Sequence, residues 1–464
     1  MTIFRTRSTG IATAAILTLQ LMFALDSQVM TVALPTIQND LGLSASSLSW
    51  LPNAYAIAFG GFILLGSRLG DRFGRVWMFA LGAALFVLAS LLGGVAPDAG
   101  LLIAARVLQG LGAALAAPSV LALISTMAAT PASRARGLAL FTVMSAIGAS
   151  FGLILGGVLT DLASWRWGLL INVPIGIVVI VIVLRLVKNQ THPQAGRFDV
   201  PGALLATASS VTLVWSFLYT ADHGWTSVGT AVSFAVAAVF IVLLVLAERR
   251  ATSPLIAVHL LKDRSRTGAL VNMGLTTGAH FAMLFMIALY LQRTLQFSPL
   301  LAGLAFLPLT VTVFISTRWV PRLVVKFGTL PVLVVGGLLV TLSFVLWSTL
   351  DASSTYLDVA IPLVIHALGV SLIFTGGTLA AMDRVADSDA GSASGMLQMV
   401  QQLGGSLGVA VVVSVYAANS VPGQFLPGVQ IALLTGGILS ALGVLVALAT
   451  IRRRARPEGF STTL

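Results

Sequence analysis

The sequence predicts an all-α polytopic membrane protein with 14 transmembrane helices in a 6+2+6 arrangement. Three observations lead to this fold class. The composition is 57% hydrophobic and only 9% charged over 464 residues, whereas a soluble domain carries about 25% charged residues. Apolar runs of about 20 residues, the length that crosses a bilayer as a helix, recur along the whole chain. Segments from the first third of the chain also reappear, in weaker form, in the last third.

The apolar runs follow one another from end to end, separated by charged and turn-forming residues. The first run lacks a small-residue cleavage site, so it is predicted to be a retained span rather than a signal peptide. The predicted spans lie near 11–34, 48–69, 77–96, 100–122, 137–160, 166–187, 199–219, 228–247, 267–292, 299–320, 328–350, 357–380, 394–417 and 428–451.

The distribution of basic residues predicts the orientation. With the N-terminus in the cytoplasm, all but three of the 26 Lys and Arg residues lie in or beside cytoplasmic segments, the exceptions being Arg106, Arg166 and Arg293. This is the positive-inside bias. It predicts a multi-pass protein of the cell membrane with both termini in the cytoplasm. The net charge of +11 is then an orientation signal, so the predicted partner is the lipid bilayer and not a nucleic acid.

The internal repeat predicts the domain organisation. Residues 73–74 match residues 327–328 at an offset of 254, and the glycines of 148–152 match those of 404–408 at an offset of 256. Parallel halves related in this way are typical of secondary transporters, whose substrate path runs between the halves.

Three segments follow from this repeat. Residues 1–190 are predicted to form an N-terminal six-helix bundle, residues 191–255 two inserted transmembrane helices, and residues 256–464 a C-terminal six-helix bundle with a cytoplasmic tail.

Several motifs resemble those of the major facilitator superfamily, and specifically of its fourteen-span drug:proton antiporter branch. The strongest is GSRLGDRFGR, after span 2, and RVLQGLGAALAAP in span 4 and GASFGLILGG in span 5 also match. WRWGLLINVPIG (165–176) and GSASGMLQMVQQLGGSLG (391–408) are typical of the branch. The resemblance covers nearly the whole chain and implies a major facilitator fold. The chain departs from the family patterns at Gln28, Thr31 and Leu153, the last of which stands where Pro is usual.

The resemblance assigns roles to two of these motifs. The motif after span 2 implies a cytoplasmic gate loop, although an ordinary basic loop is the alternative. Gly70 and Gly74 permit a tight turn there, and Asp71 can cap span 3. The loop residues are Gly66, Arg68, Gly70, Asp71, Arg72, Gly74 and Arg75. In span 5 an antiporter glycine motif lets another helix approach closely, with generic small-residue packing as the alternative; its residues are Gly148, Gly152, Gly156 and Gly157.

One acidic residue, Asp26, lies deep inside a predicted span. An ionised Asp at the centre of a membrane helix costs about 2.5–3.5 kcal/mol, and such residues tend to mark ion and substrate pathways. Burial favours the neutral form of a carboxyl group, whereas a nearby cation favours the ionised form. Arg106 of span 4 is predicted at similar depth, and the resemblance implies that the two helices are neighbours. We therefore expect an ion pair that couples protonation to transport; a protonated structural Asp is the alternative.

Further site residues are predicted less directly. The repeat offset carries Asp26 onto His280 of span 9, which predicts a second proton site or a substrate contact, with a structural His as the alternative. Aromatic, Met and Gln side chains suit varied ligands, although each can equally serve helix packing. The candidate cavity residues are Phe23, Met30, Tyr55, Gln109, Tyr290, Gln398 and Gln402.

The predicted function is proton-coupled antiport that exports amphipathic small molecules, cationic or neutral. The alternative is dedicated export of one endogenous metabolite or antibiotic. A symporter fits the span 5 glycines poorly. An enzyme would need convergent catalytic groups, which the intramembrane residues do not supply. Cys is absent, and no GxxxxGK[ST] loop supports ATP use. No cofactor or metal is predicted, and the protein is expected to be a monomer that binds substrate and protons.

Overall fold

The structure is a computed structural model, and it describes residues 2–128, 130–189, 200–250, 260–316, 318–383, 385, 390–420 and 425–451. The predicted domain boundaries at 190–191 and 255–256 and the basic tail lie outside the described residues.

The described chain is helical, as the sequence predicts. Its helices, in chain order, are α1 (Thr2–Leu41), α2 (Ala45–Phe73), α3 (Arg75–Gly94), α4 (Ala99–Met127), α5 (Pro131–Leu162), α6 (Trp167–Leu170), α7 (Asn172–Leu186), α8 (Val200–His223), α9 (Val228–Arg250), α10 (Arg264–Arg293), α11 (Pro299–Leu304), α12 (Leu307–Ser316), α13 (Val320–Phe327), α14 (Thr329–Trp347), α15 (Tyr356–Ala381), α16 (Ala390–Ala418) and α17 (Leu426–Thr450).

Within the described residues, 12 helical segments are long and apolar enough to cross a membrane. Helices α2 and α5, which coincide with predicted spans 2 and 5, lie outside this set of 12 although they are 29 and 32 residues long. Helix α5 runs unbroken through Leu153, so the absent proline leaves this helix continuous. Many large apolar side chains are exposed on the outer helix faces, for example on α9, which is the surface that a bilayer covers.

Equivalent helices of the two repeats pack in the same way. Helix α1 packs on α5, and its counterpart α10 packs on α16. Gly74 and Gly328 each separate two helices and take positive φ values of 98° and 85°, a conformation that glycine adopts without strain. The repeat seen in the sequence is therefore also a repeat of backbone geometry.

The expected gate loop is mostly helix. Helix α2 continues to Phe73, so Gly66, Arg68, Gly70, Asp71 and Arg72 lie in its last two turns. Gly74 is the N-cap of α3, and the side chain of Asp71, which is predicted to cap span 3, lies outside the described part of the structure. The turn itself is a single residue, because glycine alone reverses the chain here at low cost.

Asn189 holds this turn from the end of α7. Its side-chain amide donates to the Phe73 carbonyl (3.2 Å), and its carbonyl oxygen accepts from the Val76 amide (3.2 Å). The last carbonyl of α2 and a first amide of α3 thereby gain partners that the helices do not supply.

The first inserted helix, α8, packs against both α2 and α16, whereas α9 packs chiefly on α8. Polar and aromatic contacts tie α8 to α2: the Ser46 hydroxyl donates to Asp222 (2.8 Å), and Trp50 lies 5.9 Å from Trp215 between ring centroids. An apolar cavity of about 420 Å³ lies between α8 and α16, and Leu213 and Phe217 of α8 line it.

Candidate functional site

Asp26 and Arg106 form a buried ion pair. Each residue is 1% exposed, and one Arg106 guanidinium nitrogen lies 2.5 Å from Asp26 Oδ2. The other carboxylate oxygen, Oδ1, accepts hydrogen bonds from Gln109 Nε2 (3.0 Å) and Asn172 Nδ2 (3.0 Å). Both oxygens of Asp26 are thus engaged by side chains of α4 and α7.

Arg106 is held on several sides at once. Its Nε donates to the Leu51 carbonyl (3.1 Å), and the same nitrogen that binds Asp26 also donates to Gln109 Oε1 (2.7 Å). The guanidinium carbon lies 4.7 Å from the Tyr55 ring centroid, within cation–π range. Gln109 also donates to the Ser90 hydroxyl (2.8 Å). A buried charge pair that is this fully hydrogen-bonded is the arrangement that low-dielectric surroundings require.

The span 5 glycines pack against the stretch of α1 that carries Asp26. A Cβ added at Gly148 would lie 2.6 Å from the Ala24 side chain, and one at Gly152 would lie 2.9 Å from the Leu25 carbonyl. At Gly156 it would lie 2.7 Å from the Val29 backbone. Because these three glycines lack side chains, α5 lies directly on the backbone of α1 on both sides of Asp26.

Gly157 faces the other half of the protein. An added Cβ there would lie 2.6 Å from the Pro299 carbonyl of α11. The glycine motif thus serves two contacts, one to α1 and one to α11.

A small cavity adjoins the ion pair, between α1, α2 and α4 on one side and α10 and α16 on the other. Its volume is about 30 Å³, enough to hold water. The lining residues are Ser27, Thr31, Pro52, Asn53, Tyr55, Ala56, Arg106, Phe281, Gln402, Gly405, Ser406 and Val409.

Two of the seven candidate cavity residues, Tyr55 and Gln402, line this cavity. Gln109 instead belongs to the hydrogen-bond network of Asp26. Phe23 packs edge-on against Phe86, with ring centroids 4.9 Å apart. The three others lie outside the lining: Met30 and Tyr290 are fully buried and Gln398 is half-buried.

His280 is directed into the C-terminal helices. Its Nδ1 lies 3.0 Å from Nε2 of His366 on α15, and Nδ1 of His366 lies 3.1 Å from the Ser343 hydroxyl. On α10 the cavity lining comes from the adjacent residue, Phe281. The repeat offset pointed to His280, whereas the structure places Phe281 at the cavity. Consecutive residues of a helix point about 100° apart, so a change of one residue in the repeat offset changes which side chain faces the cavity.

Among the polar residues at the site that sequence reasoning missed are Asn172, which binds Asp26, and the cavity residues Asn53 and Ser406. A signal was present for Asn172 and Asn53, because each is an amide within an apolar run, and polar side chains at membrane depth need partners. Ser406 gave no such signal, since serine is common in closely packed membrane helices.

The arrangement has a clear chemical capacity. Asp26 can hold a proton or a positive partner, and Arg106 can bind the carboxylate or turn to other acceptors. Protonation of Asp26 would remove the charge that holds Arg106 in place. Within the described residues, no group of three or more His, Cys, Asp or Glu side chains is arranged to hold a metal ion.

The chain was compared with known protein families and with known proteins. Residues 16–409 match the family described as Major Facilitator Superfamily. The chain is 36% identical over 459 residues to the uncharacterized MFS-type transporter EfpA of Mycobacterium tuberculosis, covering 95% of this chain and 85% of the relative. It is 36% identical over 400 residues to the puromycin resistance protein pur8 of Streptomyces alboniger, covering 85% and 79%. It is 33% identical over 397 residues to the multidrug resistance protein Stp of M. tuberculosis, covering 86% and 74%.

A solved structure supports the same fold. A peptide transporter POT in complex with sulfate superimposes with a TM-score of 0.70 at 15% identity, covering 94% of each chain.

Proposed function

The chain belongs to the Major Facilitator Superfamily, and we propose on that basis that it exports amphipathic small molecules, cationic or neutral, in exchange for protons. It is a multi-pass protein of the cell membrane, and its family consists of transporters rather than enzymes. Relatives named for puromycin resistance and multidrug resistance support an exporter. The observation that carries the proton-coupling part of the proposal is the buried pair of Asp26 and Arg106.

On this proposal, the charges of Asp26 and Arg106 couple proton binding to substrate export. With Asp26 ionised, the carboxylate neutralises Arg106 and the two helices that carry them stay joined. A proton on Asp26 removes this attraction, and Arg106 must then find other acceptors, because a buried cation without a partner is costly. Proton binding and release therefore favour different arrangements of α1 and α4, which is the differential stabilisation that a coupled transporter needs.

The proposed architecture is 14 transmembrane helices with both termini in the cytoplasm. The halves of residues 1–190 and 256–464 move against each other, and the inserted pair of residues 191–255 accompanies them. The equivalent packing of α1 on α5 and of α10 on α16 supports this division. The end of α2, the turn at Gly74 and the start of α3 form the cytoplasmic gate on this proposal, braced by Asn189.

His280 is the proposed second proton site. Its partner His366 is fully buried on α15, so a proton taken up by His280 would be shared within the C-terminal half. The protein works as a monomer, with substrate and protons as its ligands and without a cofactor.

Dedicated export of one endogenous metabolite or antibiotic remains the second candidate. The observation that favours it is the similarity to a protein named for resistance to a single compound, puromycin. Resistance profiles of an efflux-deficient host, with and without an uncoupler, separate the two: a broad uncoupler-sensitive profile supports multidrug export, whereas protection against one compound supports the dedicated exporter.

The decisive test is Asp26→Asn in proteoliposomes with an imposed pH gradient. The amide has nearly the same shape but cannot titrate, so gradient-driven export should be lost while expression stays near normal. Asp40→Asn is the matched control, because Asp40 lies on the same helix but is exposed and pairs with Arg166 (2.8 Å) at the surface. Gradient-driven export by Asp26→Asn at the wild-type rate would show that Asp26 is not the coupling site.

A further inference from the structure

We propose that Asn53 and Ser406 form a polar subsite that binds an uncharged, amide-like group of the exported molecule. This inference rests on the proposed export function and adds the chemistry by which the cargo is recognised. The subsite is the small cavity beside the ion pair, where residues of α2 and α16 face each other.

Two buried side chains that line this cavity carry unpartnered polar atoms. Asn53 is 1% exposed, and neither its Oδ1 nor its Nδ2 has a hydrogen-bond partner within the described chain. Ser406 is 2% exposed, and its hydroxyl likewise has no partner there. Buried polar groups almost always have partners, because leaving them without one is costly. Three unpartnered polar atoms on two neighbouring helices thus belong to side chains that line one cavity, and together they suit a ligand that can both donate and accept.

The charges around the cavity select against a cationic group. Asp26 is not among the lining residues, its side chain is fully buried, and both its oxygens are occupied by Arg106, Gln109 and Asn172. The charged residue that does line the cavity is Arg106. A cation entering here would meet the guanidinium before any carboxylate, so an uncharged group fits better.

An amide matches the polar atoms that are available. Nδ2 of Asn53 can donate to a carbonyl, Oδ1 of Asn53 can accept from an N–H, and the Ser406 hydroxyl can do either. Gln402 of α16 adds a further amide to the lining. Tyr55 and Phe281 supply aromatic surface for the apolar part of an amphipathic molecule.

The position of the subsite links recognition to conformational change. Asn53 belongs to the N-terminal repeat and Ser406 to the C-terminal repeat, so a group bonded to both bridges the halves. At about 30 Å³ the cavity holds a single polar group and not a whole drug-like molecule. The bonds to both helices therefore form only as the halves close around the bound molecule, which favours the closed state over the open one.

The experiment compares two probes in proteoliposomes. Chloramphenicol is neutral and carries an amide, whereas tetraphenylphosphonium is a cation without hydrogen-bonding groups. Asn53→Leu removes both amide atoms at nearly constant shape, so folding should be unaffected or improved. We expect the apparent affinity for chloramphenicol to fall about tenfold, with tetraphenylphosphonium transport and thermal stability unchanged. Ser406→Ala should likewise lower the apparent affinity for chloramphenicol.

Ser119→Ala is the matched control, since the Ser119 hydroxyl is also buried and unpartnered but lies on α4 outside the cavity lining. Equal loss for both probes would mean that Asn53 is structural, and unchanged chloramphenicol transport would mean that its amide binds water only; either result overturns the subsite. So does a wild type that exports tetraphenylphosphonium but not chloramphenicol. A wild type that exports neither probe in response to a pH gradient counts against the proposed function itself.

Discussion

At the scale of single residues, Arg106 should tolerate substitution poorly. Its guanidinium has partners on α1, α2 and α4, and removing one member of a buried ion pair costs about 3–5 kcal/mol because the other charge is left unpaired. Arg106→Ala should therefore lower the thermal stability, and it should reduce the transport rate by more than tenfold. Arg106→Lys should retain more of each if the charge alone matters.

The coupling between the two charges can be measured separately. In the Asp26→Asn, Arg106→Ala double variant no buried charge is left without a partner, so its stability loss should be smaller than the sum of the two single losses by about 0.5–3 kcal/mol. Thermal unfolding of the four proteins in one detergent gives this difference. Strictly additive losses would mean that the pair does not act as a unit.

His280 makes a second prediction at the residue scale. Its hydrogen bond to His366 joins two imidazole side chains, which can pass a proton between them. His280→Gln should change the pH profile of transport, because glutamine keeps a hydrogen bond but cannot take up a proton. His223→Gln, at an exposed position at the end of α8, is the control. A profile identical to the wild type would restrict His280 to a structural role.

At the scale of elements, the contact of α1 with α5 depends on missing side chains. A Cβ at Gly152 would lie 2.7 Å from the Gln28 side chain and 2.9 Å from the Leu25 carbonyl, and backbone atoms at that distance cannot give way cheaply. Gly152→Ala should push α5 away from Asp26, lowering transport several-fold and stability by about 1–3 kcal/mol.

Gly10→Ala is the matched control for this change, because nothing lies within 4 Å of a Cβ added there. Helix propensity alone favours alanine over glycine by about 1 kcal/mol, so the control should be neutral or slightly stabilising. Thermal unfolding and drug-resistance assays of both variants check the prediction. Wild-type behaviour of Gly152→Ala would mean that α1 and α5 need not approach so closely.

At the scale of the whole molecule, hydrogen bonds join the two halves near one end of the helices. Gln292 Nε2 donates to the Val32 carbonyl (3.0 Å), and Arg293 donates to Gln38 Oε1 (2.5 Å). On the proposed topology this is the outer face. Bonds that exist in one state only bias the equilibrium towards it, so they should favour the form that is closed to the outside.

Arg293→Ala should therefore raise the population that is open to the outside. The chain has no cysteine, so a single Thr31→Cys reporter in the cavity can be labelled with a membrane-impermeant maleimide added outside. We expect labelling to be several-fold faster with Arg293→Ala than with Arg318→Ala, whose exposed guanidinium stacks over Phe314 within its own half. Equal rates would show that the outer bonds do not hold the molecule closed.

Features that repeat along the chain, or that depend on local chemistry, were predictable from the amino-acid sequence. Apolar runs long enough to cross a bilayer predict helices, and the described helices overlap the predicted spans, although spans 6 and 10 are each divided into two helices. The rarity of charge within the spans singled out Asp26 and Arg106, since a charged residue at membrane depth needs a reason. The glycines of span 5 identified a close helix contact, because only the smallest residues permit one.

Tertiary structure alone decided which side chains meet. Asn172 reaches Asp26 across 146 positions of the chain, and Asn189 holds a turn 113 positions away; no local pattern encodes such pairings. The rotation of α10 decided that Phe281 lines the cavity while His280 turns to His366. Helix rotation is set by packing against several neighbours at once, whereas periodicity in an apolar run is too weak to define an inward face when every face is apolar.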